Sequence, residues 1–196
     1  MISVLLADDH AVVRQGLRLL LEGQDDLSVV GEAGDGRESV REANRLRPDV
    51  ILMDISMPGL NGIEATRMIL EANPQTRVII LSMHAHSEFI YRALHAGAAG
   101  YLVKETVADE VIKAVRAVHL GRRYLSETIS DTIVEDYIKS RVAVAVEDPL
   151  ERLSVREREV LQLIVEGKSN PEIADIVALS PKTVETYRSR MMQKLG

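Results

Sequence analysis

Along residues 1–120 short apolar runs take turns with longer amphipathic stretches. The runs at 2–7, 28–33, 49–54, 77–82 and 99–103 predict strands, and near-continuous ones such as Val78-Ile79-Ile80-Leu81 suit strands buried on both faces. The stretches 11–22, 36–46, 62–72, 87–96 and 107–119 predict helices. Five βα units of this length imply a parallel sheet covered by helices on both sides, because parallel neighbours need crossover connections. Gly97 and Gly121 stand where helix C-termini call for a left-handed residue. Thr106, with Asp109 three residues later, reads as a capped helix start.

Beyond residue 120 the pattern changes. Ile129, Ile133, Val134, Tyr137 and Ile138 at helical spacing predict a helix over 126–140. Residues 141–152 lack amphipathicity and contain Pro149, so they read as a linker; the alternative for its Val/Ala run is a short strand. From Leu153 onward the pattern is purely helical. Ser154 with Glu157 forms a capping-box signature, and Gly167 closes that helix. Asn170-Pro171 and Ser180-Pro181 each read as an N-cap followed by proline at the first helical position. Helices are therefore expected at 154–166, 171–178 and 181–194. The last two are joined by a turn of two or three residues, as in a helix-turn-helix. The resulting division is a first domain at 1–120, a helix and linker at 121–152, and a small all-α domain at 153–196.

Composition narrows the chemistry. The 196 residues include no cysteine, which removes disulfides, thiolate catalysis and cysteine-bound zinc, and the five histidines are scattered. Any metal is then expected to be a hard cation held by oxygen. No apolar run approaches the ~20 residues of a membrane span, and a cytoplasmic location with no membrane partner is expected. His84 and His86 read as surface-loop residues. Between residues 180 and 196, Lys182, Arg188, Arg190 and Lys194 face Glu185 alone, a stretch of net +3 in a chain of −6 overall. That basic tail is a candidate nucleic-acid surface.

The strand candidates deliver charge to their ends. One finishes in Asp54, another runs into Asp8-Asp9, and the last is followed by Lys104. In one parallel sheet these three acids and one lysine meet at the carboxyl edge, where open α/β sheets bind ligands. Converging carboxylates repel one another, and a divalent cation, Mg²⁺ by preference, is the natural compensation. Asp54 is then a plausible nucleophile toward phosphorus, giving an aspartyl phosphate, with the metal and Lys104 neutralising charge on the phosphoryl oxygens.

Asp8-Asp9, Asp54 within Met53-Asp54-Ile55-Ser56-Met57-Pro58-Gly59-Leu60-Asn61-Gly62, Ser82, Tyr101 and Lys104 together resemble the receiver domain of two-component response regulators. Residues 153–196 resemble a LuxR-type helix-turn-helix through Ser154-x-x-Glu157-x-Glu159-Val160-Leu161, Ser169-Asn170-x-Glu172-Ile173-Ala174 and Ser180-x-Lys182-Thr183-Val184-Glu185. The whole chain thus resembles the NarL/FixJ class. That resemblance implies a five-stranded (βα)5 flavodoxin-like receiver followed by a helix-turn-helix domain. It makes Asp54 the phosphoacceptor and Asp8 and Asp9 the acidic pocket. Mg²⁺ would be held by Asp9, Asp54 and the backbone carbonyl of Ser56. Ser82 and Lys104 would contact the phosphoryl group, and Tyr101 would turn inward once Ser82 has moved. The phosphoryl donor would be a sensor histidine kinase, and the chain would catalyse only its own phosphotransfer and dephosphorylation.

At the other end, docking of the last helix in the major groove would make Lys182, Thr183, Arg188 and Arg190 phosphate contacts and bring Glu185, Thr186 and Ser189 near base edges. Val184, Met191 and Leu195 are expected in the core. The partner would be double-stranded DNA with paired half-sites, bound by a homodimer that forms on phosphorylation. The family continues into a fourth helix, whereas this sequence ends at Gly196 with the third. Two other readings are a haloacid-dehalogenase-like phosphatase, which needs a second acid where Ser56 stands, and a phosphorylation-controlled regulator of protein interactions.

Overall fold

In the computed structural model, residues 1–83, 85–105, 108–140 and 149–195 are described. The chain divides into two compact units, Met1–Ala143 and Val144–Gly196. In the first unit β1 (Ile2–Ala7), β2 (Leu27–Ala33), β3 (Val50–Asp54), β4 (Arg77–Ser82), β5 (Gly100–Val103) and β6 (Tyr124–Leu125) form one sheet in the order β2-β1-β3-β4-β5-β6, and every pairing is parallel. Helices α1 (Ala11–Glu22), α2 (Gly36–Leu46), α3 (Gly62–Ala72), α4 (Ser87–His95) and α5 (Ala108–His119) make the crossovers.

Alternation along the strands builds a core on each face. Leu5, Ile51, Met53 and Ile80 pack with Ala43 of α2, Ile63 and Ile69 of α3 and Ile90 of α4. Val4, Leu6, Leu52, Ile79 and Leu102 point the other way, onto Leu21 of α1 and Val111, Val115 and Val118 of α5. Because both faces are covered, these strands carry no polar face, which is why they read as continuous apolar runs. Gly97 and Gly121 take φ of +100° and +79°, the left-handed values their positions require.

Among the described residues the sheet has six strands, which corrects the expected five. The Tyr124 amide donates to the Ala99 carbonyl at 3.0 Å and the Ser126 amide to the Tyr101 carbonyl at 3.3 Å, so the segment after α5 pairs with the open edge of β5. Two residues are too short to show an alternation, and only the free edge makes them a strand. Helix α6 (Glu127–Ser140) follows, with Ile129 and Ile133 packed in the first of the two cores. The Thr106 cap and the Val/Ala run of 141–148 lie outside the described residues.

The second unit opens with a 3-10 turn (Pro149–Arg152) and holds α7 (Val155–Val165), α8 (Asn170–Val177) and α9 (Pro181–Leu195). Leu153, Val160, Leu163, Ile173, Val177, Val184 and Met191 form its core, with Leu195 partly buried against it. The capping box of α7 is present: Ser154 Oγ accepts from the Glu157 amide at 3.3 Å, and Glu157 Oε2 accepts from the Ser154 amide at 2.7 Å. For α8 the cap is Ser169, not Asn170, because Glu172 Oε2 reaches back to the Ser169 amide at 2.8 Å and its hydroxyl at 2.5 Å. Asn170 is thereby drawn into the helix. A tight turn through Ala178, at φ +54°, leads to Ser180, whose hydroxyl accepts from the Thr183 amide at 3.1 Å and starts α9.

Candidate functional site

The chain leaves β1 for β2 on one side and passes to β3 on the other, so the carboxyl ends of β1 and β3 frame a switch point of the sheet. Asp8 follows β1, Asp54 ends β3, and Lys104 follows β5. The Lys104 amide donates to the Ser82 carbonyl at 2.9 Å, which holds the residue against the end of β4. From there its ammonium reaches Asp8 Oδ2 at 2.7 Å and Asp54 Oδ2 at 2.8 Å. Both carboxylates are buried, Asp8 at 2% and Asp54 at 3% exposure. Burial pulls the Lys104 pKa down, but the hydrogen bonds and charges of Asp54 and then Asp8 outweigh it, and the net shift is upward.

Asp9 lies at the rim, with His10 beside it. The His10 amide donates to Asp8 Oδ1 at 2.8 Å, and its ring Nδ1 lies 2.6 Å from Asp9 Oδ1 and 3.2 Å from Asp8 Oδ1. Arg14, one turn along α1, donates to the Asp8 carbonyl at 2.7 Å and to Glu32 Oε2 at 3.0 Å, fixing the backbone that presents the acids. Among the described residues, Asp8, Asp9, His10 and Asp54 offer ligand atoms that lie within 4.8 Å of one another. Three carboxylates against one lysine leave excess negative charge, and this donor set fits a divalent cation.

The loop after β3 is shaped by close backbone approach. The Ile55 carbonyl accepts from the Met57 amide at 3.0 Å and the Gly62 amide at 2.9 Å, and Gly59 takes φ +74°. A Cβ on Gly62 would stand 1.9 Å from the Asp54 carbonyl oxygen, so only glycine lets α3 start this close to the acid. Gly36 does the same for α2, where a Cβ would stand 2.0 Å from the Leu60 carbonyl oxygen. The Ser56 side chain is exposed and brings no second carboxylate to the position that the phosphatase reading requires.

Ser82 is buried at the end of β4, and Tyr101 is fully buried on β5. Burial raises the Tyr101 pKa, a hydrogen bond with the Ser82 side chain lowers it, and the negative Asp54 raises it further. The ring is therefore already inward in this structure, bonded to Ser82. His86 is exposed just before α4, and His84 lies outside the described residues.

On α9, Lys182, Glu185, Thr186, Arg188, Ser189 and Arg190 are exposed and Thr183 is half-buried, while Val184 and Met191 face the core. Thr183 Oγ1 lies 2.8 Å from Ser180 Oγ, and Thr186 Oγ1 donates to the Lys182 carbonyl at 3.0 Å. Arg188 donates to Asn170 Oδ1 at 2.9 Å, tying α9 to the start of α8. Lys194 donates to Glu157 Oε2 at 2.6 Å, tying its end to α7.

Sequence reasoning missed His10, Arg14 and Asn170. His10 carried a visible signal, since it directly follows the acid pair, but counting histidines as scattered hides the one that folds back onto carboxylates. The contacts of Arg14 with Glu32 and of Asn170 with Arg188 carried none, because each partner is 18 residues away.

Comparison with known proteins agrees with both halves. Residues 4–116 match the response regulator receiver domain family, and residues 151–196 match the bacterial regulatory proteins of the luxR family. The oxygen regulatory protein NreC of Staphylococcus carnosus is 40% identical over 197 residues, covering 99% of this chain and 91% of that protein. A LuxR-family two-component response regulator from Aurantimonas sp. superposes with a TM-score of 0.68 at 38% identity, over 70% of this chain and 99% of the other. The structure of the RcsB response regulator in complex with DNA is similar with a TM-score of 0.63 at 28% identity, over 99% of this chain and 91% of RcsB. With both of its units matched in order, the chain belongs to the two-component response regulators that join a receiver domain to a LuxR-family DNA-binding domain.

Proposed function

We propose that this protein is a phosphorylation-switched transcriptional regulator in which Asp54 accepts a phosphoryl group from a sensor histidine kinase. The observation that carries this is the Lys104 ammonium held between the two buried carboxylates of Asp8 and Asp54. An Asp54 carboxylate oxygen attacks phosphorus, the bond from phosphorus to the donor breaks, and the donor keeps the electron pair. Lys104 offsets charge on the phosphoryl oxygens, and Asp8 keeps Lys104 aimed at the reacting group. Asp9, Asp54 and the Ser56 carbonyl would hold Mg²⁺, which supplies charge neutralisation at the transferring oxygens. The chain catalyses no reaction other than its own phosphotransfer and dephosphorylation.

A phosphoryl group brings roughly −1.5 to −2 charge and three strong acceptors to the pocket. Lys104 and the Ser82 hydroxyl are the donors that would turn to it. Taking Ser82 from Tyr101 breaks the hydrogen bond that fixes the ring, so β4, β5 and α4 are the elements that repack. The repacked receiver forms a homodimer, and α9 of each copy enters the major groove of one half-site. Lys182, Thr183, Arg188 and Arg190 contact phosphates there, and Glu185, Thr186 and Ser189 face the bases. For Arg188 this means exchanging Asn170 for a phosphate. Domain limits of 1–120 for the receiver, 121–152 for the connection and 153–196 for the DNA-binding domain, and a cytoplasmic location, complete the proposal. Among the described residues, no helix is long and apolar enough to cross a membrane.

The test is incorporation of phosphate from a small acyl-phosphate donor with Mg²⁺. Wild-type protein is expected to label and Asp54→Asn to lose the label; undiminished labelling of Asp54→Asn would remove Asp54 from the role.

A further inference from the structure

His10 stands at the entry to α1 and its ring does not cap that helix. Its Nδ1 instead faces two carboxylate oxygens, at 2.6 Å on Asp9 and 3.2 Å on Asp8. An Nδ1–H in this position donates to the carboxylates, and a divalent ion that takes the place of that proton would meet the same nitrogen and oxygens. Adjacent ligands of an octahedral ion with bonds of about 2.1 Å are about 3 Å apart, close to these spacings. The ring is two-thirds exposed, so small rotations into that position displace no core residue.

We infer that His10 is a nitrogen ligand of the acid pocket, making it a mixed carboxylate-imidazole site that selects first-row transition ions over Mg²⁺. This rests on the metal-binding reading of Asp9 and Asp54 above. Oxygen donors alone suit Mg²⁺, Ca²⁺ and Mn²⁺, whereas an imidazole donor adds affinity for the later first-row ions. The consequence is a receiver whose phosphotransfer responds to which divalent ion fills the pocket.

The experiment uses the full chain, wild type and with His10→Ala or His10→Gln, the latter keeping a polar residue at the helix entry. Co²⁺ and Mg²⁺ affinities are measured by titration calorimetry, and Mn²⁺-loaded protein is measured by pulsed electron paramagnetic resonance. Wild-type protein is expected to bind Co²⁺ more tightly than Mg²⁺ and to show ¹⁴N coupling to Mn²⁺. Both variants lose the coupling and about tenfold in Co²⁺ affinity, the low end of what disturbing a metal's ligand shell does, with a much smaller change for Mg²⁺. Equal Co²⁺ affinity in wild type and variants, or ¹⁴N coupling that survives the substitutions, would overturn the inference. If Asp54 still labels with Mg²⁺ in that event, the phosphoacceptor reading stands without it. Wild-type protein that binds none of the three ions would overturn both.

Discussion

Lys104 compensates two buried carboxylates at once, and this decides what its removal does. Lys104→Met leaves Asp8 and Asp54 facing each other in a poorly hydrated pocket, and breaking a buried pair in this way costs about 3–5 kcal/mol. Denaturant unfolding should show that loss, partly recovered when Mg²⁺ is added; a loss below about 1 kcal/mol would mean that the carboxylates find other compensation. The pH dependence follows from the same geometry. The pKa of Lys104 is raised in the folded state, so its stabilisation is complete below the ordinary lysine value of about 10.4 and is lost as pH rises through the higher folded value. Tyr101, also raised, acts in the same direction above about pH 10. Stability should therefore fall at alkaline pH, and less steeply in Lys104→Met than in wild type. The charges at the ends of β1, β3 and β5 were legible in the sequence because each follows an apolar run. What was not legible is which carboxylate oxygens Lys104 reaches, since that depends on the strand order, whereas His10 meets Asp8 and Asp9 of its own loop, a local contact.

At the scale of elements, the local sequence set most boundaries. The spans of α1, α2, α3, β1 and β4 match their sequence-based expectations because apolar periodicity, glycine and capping residues all act within a few residues. Caps have measurable weight. In Ser180→Ala, the Thr183 amide loses its acceptor at the start of α9, which costs about 1 kcal/mol. Thermal unfolding of the full chain should show the second unit melting earlier and the first unmoved; a shift in the first would mean that the two unfold together. One failure of reading came where an element depends on something distant. β6 exists because β5 has an open edge, whereas the cap of α8 is a local choice, in which Glu172 reaches Ser169 in preference to its neighbour Asn170. Gly36 and Gly62 open the predicted helices, and only the carbonyls of Leu60 and Asp54 lying against them show why those positions are glycine.

For the whole molecule, function is a coupling between a pocket of net negative charge and a basic helix. Lys182 is exposed on α9 and is proposed to contact a phosphate. Lys182→Ala should weaken DNA binding across sequences and reduce the slope of log K against log salt by about 1. A slope equal to wild type would place Lys182 off the DNA. The sequence by itself determined the two-part plan, a parallel α/β unit followed by a helical trio, and the candidate chemistry of Asp8, Asp9, Asp54 and Lys104. It could do so because hydrophobic period and strand-end charge are local properties of the chain. Only the tertiary structure decided that Lys104 bridges Asp8 and Asp54, that Tyr101 is inward on Ser82 and that a sixth strand closes the edge of β5. Each of these depends on which strands become neighbours, and the free energy that selects neighbours comes from burying both faces of the sheet rather than from any one segment.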